Sequence, residues 1–352
     1  MPARKTPGNS GCGVKYDGPS DSLSYFELVQ GAQMIHDRIA LIRAIQGAGL
    51  LVEHIEPGRL IRCKTADDKG LQKSGWYRVF DDADLMTAVF GDWRNGSRGV
   101  WVAGGDKPQT HEQRAHARQL IEQAQRERQQ EQARQWAGNR VKLMALWNSA
   151  APITDSDPAG QYLINRGLAV PNTGVLRYHA GLDYWHEGQC IGQFPAMLAA
   201  VTSPVGELVT VHRTFITPGG QKAPVPTVKK LCSPAGAMTG ATIKIGTPAA
   251  RPDGRIGVGI AEGIETSIAA AILFDAPVWA GVSAHGMASF TPPPAVRNVY
   301  VFADNDVSQT GQKAAAQLAE RLTRQGFTAR IHTPPAIGTD WADELIIRGA
   351  TA

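Results

Sequence analysis

The chain's 352 residues, 43% hydrophobic and 19% charged with a formal net charge of +4, suffice for two or three domains and fit a folded globular protein rather than a disordered one. No run approaches the roughly 20 apolar residues of a membrane helix, and the basic start MPARKTPGNSGCG has no apolar segment of the secretory kind behind it. A cytoplasmic protein without membrane contact is therefore expected, with a disordered start over residues 1–24. Cys12, Cys63, Cys190 and Cys232 make no CxxC or CxH pair, which argues against a zinc ribbon and against a disulfide scaffold.

Residues 25–50 carry apolar side chains at helical spacing and stop at glycines. Residues 51–104 switch to short β-like runs, RLIRCK, GWYRVF, LMTAVFGDW and GVWVAGG. Together they predict a small α+β domain over residues 25–105. Its Trp76, Arg78, Trp93, Arg94, Arg98 and Trp101 are either core or a set of aromatic and cationic platforms for single-stranded nucleic acid. Residues 106–148 read as a helical connector. From Thr110 to Trp147 there is no proline, and seven Arg and Lys face four acids.

SDPAGQYLINRGL predicts a helix start with Asp157 as cap and Pro158 in the first turn. Residues 170–247 read as a β-rich meander, with PAMLAAVTS, ELVTVHRTFIT and ATIKIG between Gly and Pro turns. Within this module, residues 149–248, the segment Pro204–Thr247 holds Arg213, Lys222, Lys229, Lys230 and Lys244 against the single acid Glu207. Such a stripe either attracts phosphates or is a solvated face.

The last hundred residues, 249–352, alternate strand and helix: IGVGIAEG, IETSIAAAILF, PVWAGVS, RNVYVFADND, GQKAAAQLAERLTRQG and FTARIHTP. That alternation predicts an open parallel α/β sheet. Sites in such sheets form at the carboxyl ends of the strands, where Glu262 follows GVGIA and Asp304 and Asp306 follow VYVFA. Aspartates at i and i+2 in extended chain point the same way. With a glutamate from a neighbouring strand end they would make an oxygen-only pocket suited to Mg²⁺, or Mn²⁺, with no zinc expected. In TDWADEL, Asp340 and Asp343 form a helix-capping pattern. His285, in the loop VSAHGMAS, is either incidental or near substrate. The nine histidines give no metal pair, and no GxSxG elbow or GxxxxGK[ST] loop is present.

The motifs IAEGIET, with Glu262 and Gly263, and FADND, with Asp304 and Asp306, resemble those of the Toprim family of bacterial-type primases, type IA and II topoisomerases and some nucleases. Upstream, GWYRVF…FGDWRNG…VWVA, QYLINRGL, VHRTFITPGGQKA and GATIKIG resemble primase-like replication proteins of phages, plasmids and integrated mobile elements. The implied architecture is α/β: a C-terminal Toprim parallel sheet flanked by helices, preceded by a β-rich α+β primase-type module and a small N-terminal α+β domain. The resemblance implies that Glu262, Asp304 and Asp306 bind metal and carry catalysis. It implies that Arg213, Lys222, Lys229 and Lys230 hold template and nucleotide, that Gly263 lets the backbone turn sharply beside the metal, and, as the alternative to capping alone, that Asp340 and Asp343 form a second sphere around that metal.

The function so implied is a DNA primase-like nucleotidyltransferase that makes short RNA primers, with single-stranded DNA, nucleoside triphosphates and a separate replicative helicase as partners. Two other readings stay open: a Toprim nuclease that cuts phosphodiesters, and a non-catalytic replication or conjugation factor that binds single-stranded DNA.

Overall fold

A computed structural model describes residues 25–81, 85–94, 96–104 and 110–350. The start expected to be disordered, residues 1–24 with Cys12, lies outside them. The chain divides into two compact units, residues 1–127 and 128–352.

In the first unit the helix α1 (Tyr25–Gly47) precedes five strands, β1 (Leu50–Leu51), β2 (Leu60–Thr65), β3 (Gly75–Phe80), β4 (Thr87–Asp92) and β5 (Arg98–Val102). The strands pair antiparallel in sequence order. Side chains alternate across a pleated sheet. Tyr77, Val79, Ala88 and Phe90 accordingly share one core with Leu41 and Ile45 of α1. On the opposite face, Trp76, Phe80 and Val89 pack with Ala124 of the next helix, α2 (His111–Asn148). Being covered on both faces, β3 and β4 are buried throughout. This decides the aromatic-platform question for two of its residues. Trp76 is 0% exposed, and Arg78 is buried, its guanidinium paired with Glu127 at 2.8 Å.

The boundary between the two units falls within α2. Among the described residues no helix is long and apolar enough to cross a membrane.

The second unit contains two sheets. In the first, β6 (Ala151–Pro152), β7 (Leu176–His186), β8 (Gln189–Thr202), β9 (Leu208–Phe215) and β10 (Lys229–Leu231) pair antiparallel as consecutive neighbours. Before β7 lies α3 (Pro158–Ile164), opened as its sequence predicts: the Asp157 carboxylate accepts from the Ala159 and Gly160 N–H groups, with Pro158 in the first turn.

The second sheet is built from β11 (Ala249–Ala250), β12 (Ile256–Ala261), α4 (Ile264–Phe274), β13 (Val278–Ala280), α5 (Ala284–Ala288), β14 (Asn298–Phe302), α6 (Thr310–Arg324), β15 (Thr328–His332) and α7 (Trp341–Ala350). Strands β13, β12, β14 and β15 run parallel in that spatial order, and the short β11 joins β12 antiparallel. The predicted strand ATIKIG is not one. It forms two isolated bridges instead, Thr242 to Thr202 of β8 and Ile243 to Ala280 of β13, so it stitches the two sheets together. A continuous core does the same on a larger scale. Met197, Ala199 and Val201 of β8 pack in one cluster with Ala261, Ile264 and Ile268. The other face of the parallel sheet is covered by Ala315, Leu318 and Leu322 of α6.

Candidate functional site

The strand order brings the acids together. β12 lies directly beside β14, with Ala261 opposite Phe302, so the residues that follow, Glu262 on one strand and Asp304 on the other, leave the sheet at the same edge. Glu262 is half-buried. Burial pushes its carboxyl above the usual range, the Ala284 N–H at the start of α5 works against that, and the Asp306 charge adds to it. Asp304 is more strongly affected. Burial and then the charges of Asp340 and Glu262 push its pKa up to about 7, with the Thr266 hydroxyl opposing them. One of its carboxylate oxygens, Oδ1, is buried and accepts no hydrogen bond.

The loop that carries Asp304 and Asp306 is tied down by its neighbours. The Asn305 N–H donates to Thr339 O at 3.0 Å, and its side-chain amide donates to Pro334 O at 2.9 Å. Gln312 of α6 donates to Asp306 O at 3.2 Å, and the Ser308 hydroxyl donates to Asp306 Oδ1 at 3.2 Å. Asp340 and Asp343 cap the start of α7 reciprocally: the Asp343 N–H donates to Asp340 Oδ1 at 2.9 Å and the Asp340 N–H to Asp343 Oδ2 at 3.1 Å. Asp340 thus caps α7, and its charge is felt at Asp304.

A hard cation suits this donor set. Asp304 keeps an unshared buried oxygen, and the groups that act on it are the Asp340, Glu262 and Asp306 carboxylates and the Thr266 hydroxyl. Among the described residues, however, no three His, Cys, Asp or Glu side chains are placed to grip one ion together. Mg²⁺ does not need three, because it commonly rests on one or two carboxylates, with water and phosphate oxygens completing its octahedron.

Residues 257–351 match the family model described as the Toprim domain. The parallel sheet and its flanking helices are a Toprim domain. Residues 137–243, just upstream, match a model described as a domain of unknown function (DUF7146). No curated protein matches the chain significantly. Three primase structures are similar to parts of it. A DNA primase domain from Pseudomonas aeruginosa is 15% identical with a TM-score of 0.39, covering 59% of this chain and 74% of that one. The RNA polymerase domain of Mycobacterium tuberculosis primase is 15% identical at 0.38, covering 62% and 80%. The zinc-binding and RNA polymerase domains of Aquifex aeolicus primase are 14% identical at 0.41, covering 92% and 83%. These likenesses are too remote to assign a function.

The basic residues expected at the site do not converge. Successive residues of a strand face opposite ways, and β10 pairs Lys229 with Thr214 and Lys230 with Arg213. Lys229 therefore shares the Toprim-facing side of the sheet with His212 and Thr214. Its ammonium donates to Glu265 Oε2 at 2.7 Å and lies close enough to Glu262 to lower that carboxyl. Arg213 and Lys230 face the other way. Arg213 donates to Leu231 O at 3.0 Å, and Lys230 donates to Trp185 O and sits 4.1 Å over the Tyr184 ring. Lys222 is exposed, whereas Lys244 bonds the Ser203 carbonyl at 2.8 Å. His285 is exposed on α5. The chain does bend at Glu262 and Gly263, between β12 and α4, but with a φ of −101° Gly263 makes the bend in backbone open to any residue. An added Cβ there would meet Thr266 Oγ1 at 3.5 Å, a normal contact.

Sequence reasoning missed Glu265, Tyr162 and His212. One signal was present. IETSIAAAILF is an apolar helix with a single carboxylate in it, and a lone acid on a buried helix needs a partner. Burial alone would raise the Glu265 carboxyl, but the Lys229 charge and hydrogen bonds from Lys229 and Tyr162 hold it at about 2. His212 is buried, and Nδ1 accepts no hydrogen bond. Burial, with Lys229 beside it, depresses its pKa to about 4.

That depression has a stability consequence with a definite sign. Unfolded His212 takes up a proton near pH 6.5, whereas the folded chain refuses it until about pH 4. Stability is complete above pH 6.5 and falls as the pH drops towards 4, by about 3 kcal/mol for this one group. His212→Gln is expected to flatten this part of the profile in urea unfolding at pH 7.5 and 5. An unchanged slope would show that His212 is not responsible.

Proposed function

We propose that the chain is a primase-like nucleotidyltransferase that joins ribonucleotides on a single-stranded DNA template. The observation that carries this reading is the Asp304 carboxylate, with its unshared buried oxygen beside Glu262 and Asp340, at the strand ends of a Toprim domain. Asp304, with Glu262 or Asp306, would hold Mg²⁺, which when bound neutralises charge on a triphosphate and on the departing pyrophosphate.

The chain's own groups supply the rest. Glu262, its proton affinity raised by burial, is suited to accept the proton of a primer 3′-hydroxyl. Lys229 offers a cation on the same side of the site for a phosphate. The exposed Lys222 serves the template backbone. The motifs before the Toprim domain that resemble primase-like proteins favour synthesis over cleavage.

The test is a primer-synthesis assay on single-stranded DNA with labelled ribonucleoside triphosphates and Mg²⁺. Short labelled products are expected from the wild-type chain and none from Glu262→Gln. Shortening of the input strand with no labelled product would replace this reading with a nuclease.

A further inference from the structure

We propose that Glu265 and Tyr162 are positioning residues that hold the Lys229 ammonium at the Toprim acids, ready for a substrate phosphate. The proposal rests on the nucleotidyltransferase reading for its phosphate, though not for its geometry.

The three residues come from three elements well separated in the sequence. Tyr162 lies on α3, Lys229 on β10 and Glu265 on α4. Both oxygens of the Glu265 carboxylate are engaged: the Tyr162 hydroxyl donates to Oε1 at 2.6 Å and the Lys229 ammonium to Oε2 at 2.7 Å. The anchor is buried and the cation is not. The side chain of Glu265 is 5% exposed and that of Lys229 is 44% exposed. An ion pair of purely structural use gains little when one partner is so open to water, and a buried carboxylate is costly to keep. The arrangement does achieve something else. It fixes a long, flexible side chain that stands on a three-residue strand at the sheet's edge, beside β9. Lysine carries about 2 kcal/mol of rotamer entropy, so an ammonium fixed in advance binds an anion without that loss.

Buried His212 faces the same pair and stays neutral through the physiological range, leaving Lys229 to balance Glu265. An ammonium retains two further N–H donors when one is committed to Glu265, and Glu262 lies within electrostatic reach of it.

Two measurements test the proposal. Brief labelling with an amine-reactive reagent, read by mass spectrometry, reports how firmly Lys229 is held, with exposed Lys222 as the internal reference. Lys229 is expected to react more slowly than Lys222 in the wild-type chain. Glu265→Gln should speed Lys229 about fivefold and leave Lys222 unchanged, and Tyr162→Phe should give a two- to threefold effect while also guarding against a folding failure in the first variant. Separately, affinity for a non-hydrolysable ribonucleoside triphosphate with Mg²⁺ should weaken about tenfold in Glu265→Gln. Unchanged Lys229 labelling in both variants, or equal triphosphate affinity in wild type and Glu265→Gln, overturns the proposal. A wild-type chain that shows the labelling contrast but binds no triphosphate leaves the clasp standing and removes the nucleotidyltransferase reading instead.

Discussion

Asp304→Asn is expected to make the metal-free protein more stable while abolishing the proposed primer synthesis. The carboxylate is pushed up to about 7 by burial and by Asp340 and Glu262, so the folded state resists its ionisation. The sign follows directly. Below pH 4 both folded and unfolded chains hold the proton, and the group costs nothing. As the pH rises the unfolded chain releases it first, and the penalty is complete above about pH 7. An asparagine fills the same space without the charge, which should recover about 2–4 kcal/mol at pH 8, or roughly 5–10 °C in melting temperature for a unit of this size. At pH 5 the gain should be much smaller. Added Mg²⁺ should raise the melting temperature of the wild-type chain and leave the variant unmoved, because ligands stabilise the state they bind. Thermal melts at pH 5 and 8, with and without Mg²⁺, decide the matter. A variant that melts lower than wild type at pH 8 would falsify the view that Asp304 is a charge kept at the expense of stability.

Gly286→Ala is expected to be the most damaging small substitution near the site. An added Cβ would lie 1.9 Å from the carbonyl oxygen of Gly281. This is backbone against backbone, so no side chain can swing away. The loop is already constrained. Val282 has a φ of +71°, a strained conformation for a β-branched residue. The Ser283 hydroxyl accepts from the Gly286 N–H at 3.0 Å. Displacing the loop reaches the site by two routes. The Gly281 N–H donates to Ala261 O at 2.8 Å, the residue before Glu262, and the Ala284 N–H supports the Glu262 carboxylate. A loss of about 1–3 kcal/mol in stability is expected, with nucleotide incorporation down at least about tenfold. Gly311→Ala is the control. Its Cβ would lie 3.7 Å from Asp304 O, an ordinary contact, and in a helix the change is neutral or mildly stabilising. Equal behaviour of the two variants in melts and in the incorporation assay would show that the Gly281–Gly286 contact is unimportant.

What the sequence determined was whatever short-range rules govern. The period of apolar residues in IGVGIAEG and IETSIAAAILF dictates a buried strand followed by a helix, and both form where expected. Asp157 with Pro158, and Asp340 with Asp343, specify helix starts through bonds that span two or three residues. The acids at the strand ends were legible for the same reason.

The tertiary structure decided everything that depends on contacts across tens of residues. Only strand pairing makes β12 the neighbour of both β13 and β14, which sets Glu262 beside Asp304 across forty residues. Pairing of β10 with β9 gives Lys229 to the Toprim acids and turns Lys230 and Arg213 away, although the three read alike in a row of cations. The two-sided covering of β3 converts Trp76 and Arg78 from surface platforms into interior groups. Glu265 shows the limit most clearly, because its partner Tyr162 lies 103 residues earlier in the chain. A carboxylate can be buried only where folding delivers a donor and a countercharge to it, and no local pattern records that delivery.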